Sequence, residues 1–394
     1  MADSGRHAVR RFRWYAGALL AVGACGLVAA STAGVLAVVM ARTVVTPPRK
    51  RKQDVAALGV DLAAGSITLS ATPDSVVSGR YGFWFSADSG YARLGEIISR
   101  TATTVTRRIL HVESGDLGRA RRGRFTGWFY RGPQELGLAF ESVEVVTPLG
   151  SAPAWLVPAE TGGGRWVIQV HGRAVTRAET LRAVPAFHEA GYTCLLVSYR
   201  NDGEAPASTD GRYSLGDTEW EDVDAAIAFA MERGATDVVL MGWSMGGATA
   251  LQTALRSRHS RALRGLVLES PVVDWRVALD FQAKLVHLPR SVGAAAQRLM
   301  SHRWGRWLTG QQREIDLDRL DLVRGAKALT LPILLLHSDD DGYVPSTASH
   351  ALAEARPDIV RMETFATARH TKLWNYDPER WNGAITSWLE ELER

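Results

Sequence analysis

The sequence predicts a mostly parallel, doubly wound α/β sheet, and three observations carry that expectation. From Arg165 onward, short apolar runs alternate with helical stretches, the pattern of strands joined by right-handed crossovers. Within that run, Asp237 to Ala250 reads as buried strand, Gly-x-Ser-x-Gly turn and small-residue helix. Finally, Pro271 to Leu331 breaks the rhythm with some sixty residues and no clear strand, which suggests a helical insertion over the carboxyl ends of the strands, where open sheets bind ligands.

The elements follow in order. Thr147-Pro148-Leu149-Gly150 reads as a turn joining Val143–Val146 to Ala154–Val157, an antiparallel hairpin at the sheet edge. Trp166 to Val170 is a strand ending in His171-Gly172, Thr180 to Ala190 a helix, and Thr193 to Tyr199 the next strand. Asp217 to Glu232 is a helix with Val223, Ala226, Ile227 and Ala230 on one face. Strands Asp237–Met241, Leu266–Glu269, Ile333–Leu336 and Val360–Phe365 complete the set. The insertion 271–331, with Trp275, Phe281, Leu285, Leu288, Trp304 and Trp307, reads as a lid, with plain packing at the sheet edge as the alternative.

Ahead of this region the chain divides into a basic tail (1–13), an apolar span (14–41), a basic linker (42–59) and a β-rich extension (60–140), leaving 141–394 for the α/β domain. In the extension, Ile67–Ser70, Tyr81–Phe85 and Arg124–Tyr130 look like strands between Gly, Pro and Asp turns. The extension is expected to wrap the core, with a domain of its own as the alternative. Its aromatic residues (Tyr81, Phe83, Trp84, Phe85, Trp128, Phe129, Tyr130) read as core, with a substrate wall as the alternative.

Trp14 to Ala41 holds no charged residue and exceeds the ~20 residues that span a bilayer. A retained single-pass transmembrane helix is the expectation. A buried core helix, a cleaved signal, and lipidation at Cys25 in the lipobox-like Val22-Gly23-Ala24-Cys25 are the alternatives. Bases on both sides leave the membrane face unreadable. The net charge of +4 hides an asymmetry, because residues 1–52 hold nine Arg and Lys against Asp3 alone, so the remainder is net acidic. That argues against a nucleic-acid partner, whose binding domain would carry a basic face. Cys25 and Cys194 are the two cysteines, too few for a cysteine metal cluster. No cofactor or metal is expected, since there is no His-x-x-x-His pair and Gly162 to Gly164 precede a strand instead of following one.

The chemistry centres on Gly242-Trp243-Ser244-Met245-Gly246. Glycines two residues either side of a serine remove the Cβ atoms that a sharp strand-to-helix turn would crowd. A serine hydroxyl needs a base oriented by a third group. Downstream, Ile333–Leu336 runs into His337-Ser338-Asp339-Asp340-Asp341-Gly342-Tyr343-Val344-Pro345, three aspartates at the end of one buried strand. His370 follows the last strand on a loop at the same end of the sheet. His337 and His350 compete with it, but one ends a strand and the other sits in a helical stretch.

With Val170-His171-Gly172-Arg173, the serine turn, Asp341-Gly342-Tyr343-Val344-Pro345 and Arg369-His370-Thr371 in this order, residues from about 143 onward resemble the serine esterase, lipase and peptidase branch of the α/β-hydrolase superfamily. In that family the acid stands four residues before the Pro of Asp-x-x-Val-Pro, which selects Asp341. The resemblance implies that Ser244 attacks, His370 moves the proton and Asp341 holds the imidazole. It implies an oxyanion hole from the backbone N–H groups of Arg173 and Met245. The Arg173 side chain is left free to contact a substrate carboxylate or phosphate, or to be a plain surface arginine. A membrane-anchored serine hydrolase of small-molecule carboxylic esters is the implied function. A peptidase or amidase of the same fold is the alternative, and a non-catalytic binding protein a weaker third reading.

Overall fold

The computed structural model describes residues 31–48, 50–160 and 163–394. Residues 31–45 are helical (α1). Six strands then follow: β1 (Val55–Asp61), β2 (Ser66–Ser70), β3 (Tyr81–Phe85), β4 (Gly90–Arg100), β5 (Thr104–Ser114) and β6 (Arg122–Thr126). They close into an antiparallel barrel in the order β1-β2-β5-β4-β3-β6. The second part contains β7 (Glu141–Thr147), β8 (Gly150–Val157), β9 (Arg165–Val170), α2 (Val184–Glu189), β10 (Thr193–Val197) and α3 (Trp220–Glu232). It continues through β11 (Asp237–Trp243), α4 (Met245–Arg256), β12 (Leu263–Glu269), α5 (Trp275–Leu285), α6 (Arg290–Ser301) and α7 (Arg306–Thr309). It ends with β13 (Ile333–Ser338), α8 (Thr347–Ala355), β14 (Val360–Phe365), α9 (Leu373–Tyr376) and α10 (Pro378–Leu392).

Strands β7 to β14 form one eight-stranded sheet in the order β14-β13-β12-β11-β9-β10-β8-β7. The five junctions from β14 to β10 are parallel, whereas β8 pairs antiparallel with both β10 and β7. Successive residues of each central strand feed opposite cores. Val238 and Leu240, Leu266 and Leu268, and Ile333 and Leu335 enter one. Val239 and Met241, Val267, and Leu334 and Leu336 enter the other. Burial on both faces explains why these strands are unbroken apolar runs in the sequence. The expected helix over 180–190 is split: Arg177–Ala183 is 3-10 and α2 begins at Val184, where Pro185 suits a first helical turn.

The extension does not wrap the sheet. It has a core of its own, because Tyr81, Phe83 and Phe85 point into the barrel with Val55, Ile67, Leu69, Leu94, Val105 and Phe125. Trp84 points the other way, joining Tyr91, Trp128 and Phe129 in the core beneath the sheet. The aromatic run is therefore packing for two cores and not a substrate wall. Strand β1 begins inside the stretch read as a linker and ends in the extension. The long strands β4 and β5 escaped the alternation test, in part because Arg107 stands buried in the middle of β5.

The apolar span read over 14–41 lies partly outside the described residues, and 14–30, Cys25 included, are not described. Among the described residues no helix is long and apolar enough to cross a membrane. Helix α1 continues past Ala41 to residue 45 and buries Ala37, Ala41, Val44 and Val45 in the core above the sheet. Its last turns are thus packed on protein. The insertion likewise packs there, through Ala278, Leu279, Val292, Ala296, Leu299 and Met300.

Candidate active site

Strand β11 delivers Ser244 into the turn before α4 with φ 53° and ψ −116°, a conformation that a non-glycine residue adopts only when its surroundings impose it. Ser244 N donates to Glu269 O (3.0 Å) and Ser244 O accepts from Val272 N (3.1 Å), and two glycines leave room for the turn. A Cβ on Gly242 would lie 2.4 Å from Gly246 O, and one on Gly246 would lie 2.2 Å from Val170 O and 2.4 Å from His171 O. Gly246→Ala should therefore destabilise the protein by about 1–3 kcal/mol or more, since only backbone could give way. A melting temperature equal to that of the parent would show that the turn relaxes.

Ser244, Asp341 and His370 come together although 97 residues separate the first two in sequence. Ser244 Oγ lies 3.0 Å from His370 Nε2, and His370 Nδ1 lies 2.7 Å from Asp341 Oδ2. A carboxylate only accepts, so Nδ1 carries the imidazole proton and Nε2 is left to accept from the serine hydroxyl. Asp341 Oδ1 accepts from the N–H groups of Tyr343 (2.8 Å) and Val344 (2.9 Å). His337 Nε2, which donates to Val344 O, lies 3.3 Å from Asp341 Oδ2. Burial pushes the Asp341 carboxyl up, but His370, through its charge and hydrogen bond, and His337 outweigh it and hold it well below the ordinary carboxylate range.

The competing residues separate cleanly. Asp339 faces solvent and accepts from His350 (2.9 Å) and Ser346 Oγ (2.8 Å). Asp340 accepts from Arg369. His337 is buried between Ser349 Oγ and Val344 O.

The turn after β9 closes over the serine. A Cβ on Gly172 would come 3.4 Å from Ser244 Cβ. His171 stacks on Tyr199 at 4.3 Å, and the Tyr199 hydroxyl donates toward the carbonyls of His171 (3.1 Å) and Gly172 (3.0 Å). The Arg173 side chain points away from the serine. Its Nε donates to Val44 O (3.0 Å) and its Nη2 to Thr43 O (2.6 Å) and Thr46 O (3.0 Å), capping the carbonyl end of α1. It is neither free for a substrate anion nor a plain surface arginine. Met245 is buried as the first residue of α4.

Glu269, the last residue of β12, went unnoticed in the sequence. Its backbone carbonyl accepts from Ser244 N (3.0 Å). Its carboxylate accepts from Trp243 Nε1 (2.8 Å), Trp381 Nε1 (2.9 Å) and Leu373 N (3.2 Å). Burial raises its pKa, opposed by the Arg182 charge and the hydrogen bonds from Leu373 N and Trp243. It ties the serine turn to the segment that follows His370. A charged residue closing an otherwise apolar buried strand was the available signal.

Two family models match the chain. One, described as serine aminopeptidase, S33, covers residues 164–321. The other, a domain of unknown function (DUF8805), covers residues 56–126, within the barrel. An esterase of Pyrococcus furiosus superposes with a TM-score of 0.52 at 16% identity, over 66% of this chain and 94% of its own. The sheet has the α/β-hydrolase fold. Two curated sequences are also similar: an uncharacterized protein of Mycobacterium tuberculosis H37Rv is 25% identical over 240 residues, 59% of this chain and 70% of that protein. Human protein ABHD12B is 24% identical over 224 residues, 54% of this chain and 55% of that protein.

Proposed function

We propose that this α/β-hydrolase domain is a serine hydrolase that cleaves carboxylic esters carrying an apolar acyl chain. One observation carries the reading: the hydrogen-bonded series Ser244 Oγ, His370 Nε2, His370 Nδ1, Asp341 Oδ2 at 3.0 and 2.7 Å, on a strained serine turn. Ser244 Oγ attacks the ester carbonyl as its proton passes to His370 Nε2. The imidazolium is stabilised by Asp341, and the oxyanion is met by the backbone N–H groups of Met245 and Arg173. Collapse expels the alcohol with the proton from His370. Water, deprotonated by the same imidazole, then releases the acid.

The acyl chain is assigned to an apolar groove of about 270 Å³ between α1 and α5, lined by Leu36, Val39, Met40, Val44, Ala283 and Val286 among others. That exceeds the ~150 Å³ apolar cavity known to admit benzene. Both walls are tied to loops that bear the site. Arg173 grips Thr43 and Val44 on one side. On the other, Gln282 Nε2 donates to Tyr343 O (3.3 Å), and the Tyr343 ring lies 5.2 Å from that of His370. The uncharged run Trp14–Ala41 and the exposed Val35, Val39, Val286, Trp304 and Trp307 support the further reading that the N-terminus and insertion hold the enzyme at a membrane.

The test is a fluorophosphonate probe followed by p-nitrophenyl esters from acetate to palmitate, beside aminopeptidase substrates. Labelling with ester turnover upholds the reading. Labelling with amide turnover alone replaces it by a peptidase, in keeping with the description of the matching family. Val286→Asp should lower kcat/KM for long-chain esters by about tenfold while leaving acetate nearly unchanged. Equal loss on both would remove the groove from the acyl path.

A further inference from the structure

His370 sits between two residues with left-handed backbone, Arg369 (φ 64°) and Thr371 (φ 49°). Such residues cost about 1–3 kcal/mol each and persist only where neighbours impose them. The sheet domain supplies some of those neighbours, since Thr371 N donates to Ser270 Oγ (3.2 Å), and the barrel supplies another. Asp74, on the loop between β2 and β3, accepts from Arg369 Nε at 3.1 Å and lies 3.4 Å from Lys372 Nζ. The other end of the Arg369 guanidinium donates to Asp340 O (2.8 Å) and Asp340 Oδ1 (3.0 Å), on the loop that carries Asp341. One arginine therefore joins the barrel, the acid loop and the histidine loop.

A second seam runs beside it. Asn375 Nδ2 donates to Arg80 O (2.8 Å) and Gly127 O (2.9 Å), and Arg80 N donates to Asn375 O (3.0 Å). The buried Arg182 donates to Thr371 O (2.8 Å) and Asn375 Oδ1 (2.6 Å). The approach needs glycine on the barrel side. A Cβ on Gly79 would lie 2.1 Å from Asn375 O, and one on Gly127 would lie 2.8 Å from Thr371 O.

The loop presenting Asp74 is itself held from inside the barrel. Arg107, fully buried, donates to Ser75 O (3.0 Å), Gly79 O (3.0 Å) and Gly95 O (2.6 Å), and also to Val77 O. A buried guanidinium spent on loop carbonyls stiffens the segment from Ser75 to Gly79.

We propose that the barrel is a positioning module for the reaction, in which Asp74 latches Arg369 and Lys372 and so holds His370 in line with Ser244. The proposal rests on the serine-hydrolase reading above. Asp74 touches no reacting atom; it is a positioning residue. Burial raises its pKa, but Lys372 and Arg369 more than offset this and keep it ionised at neutral pH.

The experiment compares the full chain with Asp74→Asn, Asp74→Glu, Arg369→Met and the double variant Asp74→Asn/Arg369→Met. Arg108→Gln, which breaks an exposed ion pair with Glu96 on the barrel surface, is the control. Asp74→Asn should lower kcat and the rate of fluorophosphonate labelling by about ten- to a hundredfold with KM nearly unchanged, the scale of a small misplacement of a catalytic group. Asp74→Glu should recover part of the loss. The double variant should be no worse than the worse single one, because both break one latch. Arg108→Gln should match the parent. The latch is overturned if Asp74→Asn labels at the parental rate, or if its loss only equals the unfolded fraction measured by circular dichroism. Absence of labelling in the parent would instead sink the serine-hydrolase reading itself.

Discussion

Ser244→Ala is expected to lower kcat by about 10⁴–10⁶-fold while leaving the melting temperature almost unchanged. The catalytic half follows from geometry. The hydroxyl is the group that His370 Nε2 faces, at 3.0 Å, and alanine leaves the imidazole with no nucleophile to deprotonate. The stability half follows from the backbone. Alanine keeps the Cβ that makes φ 53° unfavourable, so it neither relieves nor adds strain, and the turn is still held by Ser244 N donating to Glu269 O. Ser244→Gly separates the two halves. It should be equally inactive yet more stable by about 1 kcal/mol or more, since glycine accepts this conformation without penalty. Initial ester rates, probe titration and calorimetry on the three proteins decide it. Parental turnover in Ser244→Ala would move the nucleophile elsewhere.

What was legible in the sequence is what depends on neighbours along the chain. Val238 to Met241 announces a buried strand because both of its faces meet apolar cores. The glycines at 242 and 246 announce the turn because each removes one specific backbone clash. Three aspartates in a row could not be separated by pattern; the resemblance singled out Asp341, and in the structure Asp339 and Asp340 turn to His350 and Arg369. What escaped is set across long separations. Barrel closure pairs β1 with β6, bringing Val55 against Gly123 almost 70 residues later. A buried arginine inside β5 breaks the alternation that would have revealed the strand. The Arg173 side chain looked available to a substrate because its partners, the carbonyls ending α1, lie some 130 residues earlier. Packing of Ala37 and Ala41 against the sheet core cannot be told from lipid burial by hydropathy alone, since both environments favour the same residues.

Asp341→Asn should lower kcat by about 10⁴-fold, whereas Asp339→Asn should leave it within about twofold. The reason lies in how the turn would orient the new amide. The N–H groups of Tyr343 and Val344 need an acceptor and already have Oδ1 at 2.8 and 2.9 Å, so the amide oxygen of the variant stays with them. Its NH₂ then faces His370 Nδ1, two donors meet, and the imidazole answers by moving its proton to Nε2. That nitrogen now presents a hydrogen to Ser244 Oγ and cannot take one. Asp339 serves Ser346 and His350 at the surface, and its amide changes nothing His370 feels. Stability carries an independent signature. The folded Asp341 carboxyl titrates below its ordinary value of 3.8, so its ionisation stabilises the fold at and above neutral pH. That contribution is lost as the solution is acidified through and below that value. Asp341→Asn should therefore flatten the acid limb of a melting-temperature profile that Asp339→Asn leaves closer to the parent's. If the two variants exchanged these behaviours, the acid would be Asp339 and the 2.7 Å contact to His370 would not be the working one.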